Sequence, residues 1–340
     1  MALSRPTRSL TLTAALFILA LALAQPASAQ PSATATPPPT NETFSFGHPL
    51  RDNILFAYKY TEKVRTWLSD ADGAVTDSSE RVLTYFITQR QKPGLLGGGA
   101  IEVEANIDSM RLDYRGAAGA VEYDNMILDH GRDLARLRHP AVLVPSTLVN
   151  SVAHFQLSPY GTMIDMKSIS FDNLRVQAED PSLDDFTYKR LGHMLDNRYL
   201  ATVFFPWRNV LPLGRDIGVN KTIRVPMLSA LDRIVFTDSA DVTLIPAADG
   251  GQPVLNFTTP LTTPVTEWIT YEGQSDPVLL SGSHGIITGQ LMLDPDGVVT
   301  SGWSMANGTA TGSARGQAVN ARFEHQVYVE LMRMTAFAVE

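Results

Sequence analysis

The stretch SGSHG, Ser281 to Gly285, sets a serine beside a histidine between glycines, the residue types of a hydrolase nucleophile turn. Such an elbow needs Gly-X-Ser-X-Gly at a strand-to-helix turn, which lifts the nucleophile above a sheet with backbone donors behind it. Here Ser281 stands where the first glycine belongs, and the residues that follow read as strand. His284 adjoins Ser283 in sequence, which is not how a base normally reaches its nucleophile. The stretch reads as a loop, and a hydrolase acting through Ser283 is the weakest of three functional alternatives.

DADG (Asp70–Gly73) and DPDG (Asp294–Gly297) carry the spaced carboxylates of a calcium loop, but the glutamate expected six residues past the glycine is Ser79 in one and Trp303 in the other. Both read as hairpin turns. The glycine-rich GLLGGGA (Gly94–Ala100) lacks the Lys and Ser/Thr of a phosphate loop and precedes a strand pattern, so it too is a turn. His193 and Asp196 could orient two zinc ligands from one helix face, but no third ligand is in view, and an exposed pair is the simpler reading. Arg132, Arg136, Arg138 and His139 gather beside Asp129 and Asp133, which suits a salt-bridged surface helix better than an anion site. No catalytic residue, metal site or cofactor is assigned.

The apolar group FFPW, Phe204 to Trp207, is different in kind. Aromatic side chains bury the most area per residue, so this group either anchors a helix on a sheet or lines a pocket for a lipid-like ligand. Tyr199, Phe204, Phe205 and Trp207 are the candidate ligand-binding residues.

The elements that position them follow from pattern. PSLDDFTYKRLGHMLDNRYLATVFF predicts a long amphipathic helix over 183–205, capped by Ser182, with Asp184 and Asp185 in its first turn and Pro206 closing it. Tyr188, Leu191, Leu195 and Tyr199 form its apolar stripe. A weaker helix around GRDLARLRH stops at Pro140 and resumes in AVLVPSTLV. Elsewhere alternation of β-branched and aromatic residues predicts about a dozen strands in antiparallel sheets. In ILFAYKYTEKVRTWL, Ile54, Phe56, Tyr58 and Tyr60 share a face.

The first 29 residues read as a signal peptide cleaved after Ala29: Arg5 and Arg8, an apolar run too short to span a membrane, then Ala27-Ser28-Ala29. The protein is expected in the periplasm or secreted, and not transmembrane. The 340-residue chain has no cysteine, which removes structural disulfides, thiolate metal sites and cysteine nucleophiles. Its formal charge of −8 becomes more negative once the two signal arginines leave, so nucleic acid is not an expected partner.

LSPYGTMID at Leu157–Asp165 has a counterpart in LDPDGVVTS at Leu293–Ser301. Aligned without gaps, Ala141–Ser168 and Pro277–Ser304 share Val142/Val278, Leu143/Leu279, Leu157/Leu293, Pro159/Pro295, Gly161/Gly297 and Ser168/Ser304. A duplicated β-unit is favoured, with convergence on a common hairpin as its alternative.

The order LFAYKYTEKV, RLDYRGAAGAVEYDN, VAHFQLSPYGTMIDM, the helix with FFPWRNVLPLGRDIGVNKTI, then GQLMLDPDGVVTSG resembles an uncharacterised, domain-of-unknown-function family of exported, β-rich bacterial proteins with two similar halves. The likeness covers most of residues 50–336. It implies export and a β-rich fold, and it implies no reaction.

The expected fold is mainly β (α+β), with two related curved antiparallel sheet units and one long amphipathic helix packed on or between them. After the signal, 30–45 is a Pro/Thr/Ser-rich linker, 46–180 an N-terminal β-rich unit, 181–215 a connecting helix and extended segment, and 216–340 a C-terminal β-rich unit. The leading function is a non-catalytic envelope protein that binds a lipid or other apolar small molecule. A structural or assembly protein binding an envelope partner comes second.

Overall fold

A computed structural model describes residues 43–46, 53–94, 99–117, 119–127, 136–137, 139–159, 163–168, 195, 197–205, 211–212, 214–231, 234–246, 253–261, 267–269, 278–314 and 316–336. Its strands are β1 (Thr43–Phe46), β2 (Ile54–Ser69), β3 (Val75–Pro93), β4 (Ile101–Gly116), β5 (Gly119–Asp124), β6 (Val152–Leu157), β7 (Met163–Lys167), β8 (Arg215–Gly218), β9 (Thr222–Leu231), β10 (Ile234–Ile245), β11 (Val254–Leu261), β12 (Glu267–Ile269), β13 (Val278–Leu293), β14 (Val299–Ala314) and β15 (Gln317–Ala336). The helices among these residues are α1 (Pro140–Ser146) and α2 (Asn197–Phe204).

Thirteen strands form one antiparallel sheet in the order β7-β6-β4-β3-β2-β15-β14-β13-β11-β10-β9, with β5 added beside β4 and β12 beside β13, while β1 and β8 pair separately. The structure therefore shows one sheet where two curved units were expected. Its flanks come from the two ends of the chain, and β2 pairs with β15 to join them over sixteen or more residues of each strand. At the rise of an antiparallel strand these central strands are about 50–65 Å long.

The two flanks share a hairpin, not a repeat. Leu157 and Leu293 end β6 and β13, and each leads through a turn into the next strand. Upstream the correspondence fails, because Val142 and Leu143 lie on α1 whereas Val278 and Leu279 lie on β13. In both Asp-rich turns the first aspartate caps the backbone: Asp70 Oδ1 accepts from Asp72 and Ala74 N–H at 3.0 and 2.9 Å, and Asp294 Oδ1 from Asp296 and Val298 at 3.0 and 2.8 Å. Gly73 and Gly297 both take φ near +83°, a conformation other residues resist. These are hairpin turns, as expected, and among the described residues no cluster of metal-ligating side chains forms.

SGSHG lies within β13 rather than in a loop. Ser283 is buried opposite Ala310, and the alternation of a strand sends His284 to the other face, so the two cannot act on one substrate atom. Two further glycines in this flank have steric reasons. Gly289 stands opposite Phe257 and Gly308 opposite Phe323. A β-carbon there would run into the facing ring and come within 2.6 Å of the Trp303 carbonyl oxygen or 2.8 Å of that of His284.

One face of the sheet is buried. Alternation places Phe56, Tyr60, Glu62, Val64, Thr66 and Leu68 of β2 on it and turns Lys59, Lys63, Arg65 and Trp67 outward. Directly opposite in β3 are Arg81, Leu83, Tyr85, Ile87 and Gln89, all buried. The helices pack on this face. His139 Nδ1 accepts from Ala141 N–H at 3.2 Å ahead of α1, whose first-turn Pro140 has no N–H to lose. Tyr85 Oη donates to the Pro145 carbonyl at 3.2 Å and ties α1 to the sheet. The helix resumed at AVLVPSTLV is thus observed, beginning at Pro140.

The described part of the long predicted helix is α2, eight residues from Asn197. The rest of 183–205, with Tyr188, Leu191, His193 and Asp196, lies outside the described residues, as does Ser182, apart from the buried Leu195 and Phe205. A long helix over 183–205 is therefore not shown.

Candidate functional site

Where the C-terminal end of α2 meets the sheet centre, a pocket opens. Phe56, Tyr58 and Tyr60 from β2, Ile87, Gln89 and Gln91 from β3, and Val329 from β15 make its floor. Val203, Phe204 and Phe205 form one wall, with Leu211, the β13–β14 turn residues Gly297 and Val298, and Val299 of β14 completing it. About 70 Å³ can be occupied, within a cleft of about 640 Å³ counted out to open solvent. Apart from Gln89 and Gln91, every lining side chain is aliphatic or aromatic.

The wall is fixed by aromatic packing. Phe155 of β6 meets Phe205 edge-on at 4.6 Å between ring centroids and Phe204 at 5.4 Å. Gln89 Nε2 donates to the Phe204 carbonyl at 2.6 Å, satisfying an acceptor at the helix end. Phe204 and Phe205 thus pack α2 on the sheet and also line the pocket. Of the four residues singled out from the sequence, Phe204 and Phe205 line the pocket. Tyr199 is buried nearby but outside the lining, and Trp207 lies outside the described residues.

Beside the pocket the sheet buries a charged cluster that the sequence reading missed. Glu62 is 1% exposed; its Oε2 accepts from Arg81 at 2.9 Å and its Oε1 from His325 Nε2 at 2.8 Å. A carboxylate only accepts, so Nε2 of His325 carries a proton. The register brings the three together, because Arg81 and His325 both stand opposite Val64, one step along the face from Glu62. The signal was present in the strand pattern: Glu62 falls in phase with Phe56, Tyr58 and Tyr60, on the face that must be buried.

Tyr60 links cluster and pocket. Burial, then the negative charge of Glu62 and the neighbouring Tyr199 and Tyr85, push its phenol well above 10.0, against a smaller pull from Arg81. A raised phenol pKa means that the folded state keeps a proton which the unfolded chain releases. Its stability contribution is intact below pH 10 and is lost as pH rises from there towards the folded pKa. Chemical denaturation of the wild type and Tyr60→Phe across the alkaline range should show the wild type losing stability more steeply above about pH 10, by up to about 1.4 kcal/mol per pH unit. Parallel curves would mean that water reaches this phenol.

Comparisons with known proteins add little. No family model matches the chain, and no curated protein matches it. Among solved structures, one of lipovitellin, titled for its lipid–protein interactions, aligns over 86% of this chain at 11% identity with a TM-score of 0.42. The chain spans only 26% of that lipovitellin chain. An outer membrane channel from Pseudomonas putida F1 aligns over 84% of this chain and 98% of its own, at 10% identity with a TM-score of 0.23. Both scores are too low to bear on function. No described helix is long and apolar enough to cross a membrane.

Proposed function

We propose that this is an exported, non-catalytic envelope protein that holds an apolar, lipid-like ligand between α2 and the buried face of the sheet. The observation that carries the reading is the lining: a mainly aliphatic and aromatic pocket whose polar side-chain groups are the phenols of Tyr58 and Tyr60 and two glutamines, one already bonded to the end of α2. Ligand sites are mostly apolar with a few placed polar groups. The size sets a condition. An engineered cavity of about 150 Å³ holds benzene, and small-molecule pockets start near 300 Å³. About 70 Å³ therefore takes the end of a chain, and the remainder lies in the open cleft.

The rival reading, an edge strand offered to a protein partner, is disfavoured by the strands at the two ends of the described sheet. β9 contains Pro226, and β7 is five residues long with Asp165 and Lys167 on it, both means of discouraging strand addition.

The test is mass spectrometry of an organic extract from residues 30–340 purified from the periplasm without detergent. A stoichiometric apolar species is expected, and it should be missing from Val298→Phe, which fills the pocket from the β13–β14 turn. A clean extract from well-folded wild type overturns the reading.

A further inference from the structure

The outward face at the sheet centre carries a second groove, of about 330 Å³. By strand alternation it lies on the opposite side from the pocket, since Lys59 and Thr61 point away from Tyr60, and Tyr328 and Glu330 away from Val329. Its lining falls into two adjacent rows across four strands. One row runs Gln290, Trp303, Tyr328, Thr61, and the next Met292, Ser301, Glu330, Lys59. The first places two aromatic rings at the centre, 38% and 49% exposed. The second sets hydroxyl, carboxylate and ammonium groups beside them.

These polar groups are largely uncommitted. Lys59 and Glu330 stand directly opposite each other, yet among the described residues neither makes an ion pair or side-chain hydrogen bond. The same holds for the Ser301 hydroxyl and the Trp303 indole N–H. Gln290 spends its amide N–H on Asn256 at 3.0 Å and keeps its carbonyl available.

We propose that this groove binds a saccharide. A pyranose ring has an apolar C–H face and an edge of hydroxyls that both donate and accept. The electron-rich faces of Trp303 and Tyr328 attract the first, and the row of Ser301, Glu330 and Lys59 meets the second. A protein partner fits less well, because interface cores are depleted of charge and these two heads would be buried together. An apolar ligand would find no enclosed depth here, and the net charge of −8 opposes nucleic acid.

The inference does not depend on the apolar pocket. Titration calorimetry and tryptophan fluorescence with maltohexaose, cellohexaose and chitohexaose test it on the mature protein. One series is expected to bind and to change the tryptophan emission. Trp303→Ala should weaken that binding by about tenfold or more, with an unchanged far-ultraviolet spectrum and unchanged content of any co-purified apolar ligand. Trp67→Ala, on the same face but outside the groove, should leave it intact. Flat titrations with all three sugars overturn the proposal, as does sugar binding that Trp303→Ala does not alter. Loss of a co-purifying protein from Trp303→Ala, with flat sugar titrations, would do so in favour of a protein partner.

Discussion

Glu62→Ala is expected to cost about 3–5 kcal/mol, a large share of the stability of any single domain. The carboxylate is 1% exposed and answers two buried donors, Arg81 at 2.9 Å and His325 at 2.8 Å. Removing it takes away the 2.9 Å counter-charge of a guanidinium that stays 5% exposed. The comparison that isolates burial lies on the other face of the same strands. There Lys63 and Arg65 reach Glu80 at 2.9 and 3.2 Å and, led by the Lys63 hydrogen bond, hold its carboxyl below 4.5. Those side chains are 31–40% exposed, and solvent screens them, so Glu80→Ala should cost under about 1 kcal/mol. Urea denaturation of both variants measures the contrast. Equal, small shifts would show that water reaches Glu62. Replacing Glu62, Arg81 and His325 together by leucine, methionine and phenylalanine should return much of the loss, because a well-packed apolar set need not be worse than a buried ion cluster.

Alternation is a local property, so the face shared by Ile54, Phe56, Tyr58 and Tyr60 was legible, as were the Asp-Gly turns, whose geometry depends on a few neighbouring residues. Which strands become neighbours is not local. Nothing in LFAYKYTEKV or NARFEHQVYVELMRM announces that β2 and β15 pair across most of the chain, so two units were read where there is one sheet. The same blindness hid the charged cluster: Glu62 was in phase, but its partners Arg81 and His325 are supplied by the register of two other strands. It also turned a hairpin likeness into a duplication, since Val142 and Leu143 lie on a helix whereas Val278 and Leu279 lie on a strand. The pocket was half legible. An aromatic cluster at the end of an amphipathic stripe pointed to Phe204 and Phe205, whereas Gln89, Ile87 and Val298 reach it only through tertiary packing.

Phe204→Ala separates packing from ligand binding at that pocket. The ring is 1% exposed and packs on Phe155 at 5.4 Å, so truncation should cost about 3–5 kcal/mol through lost burial and the cavity left behind. The bond from the Gln89 side-chain amide to the Phe204 carbonyl survives the change, and α2 keeps one anchor to the sheet. If the surroundings do not collapse, the space once filled by the ring joins the existing pocket and admits a larger apolar group. A ligand that binds only the folded state stabilises it by RT ln(1 + [L]/Kd), about 2.7 kcal/mol at a hundredfold excess over Kd. The variant should therefore melt well below the wild type and regain a good part of the difference when an N-phenyl naphthylamine probe or a long-chain alcohol is added. Phe205→Ala, at the edge-on contact with the same Phe155 ring, should behave similarly. A deficit that no apolar additive reduces would mean that the site closes on itself, and that Phe204 and Phe205 hold α2 on the sheet without marking a place for a guest.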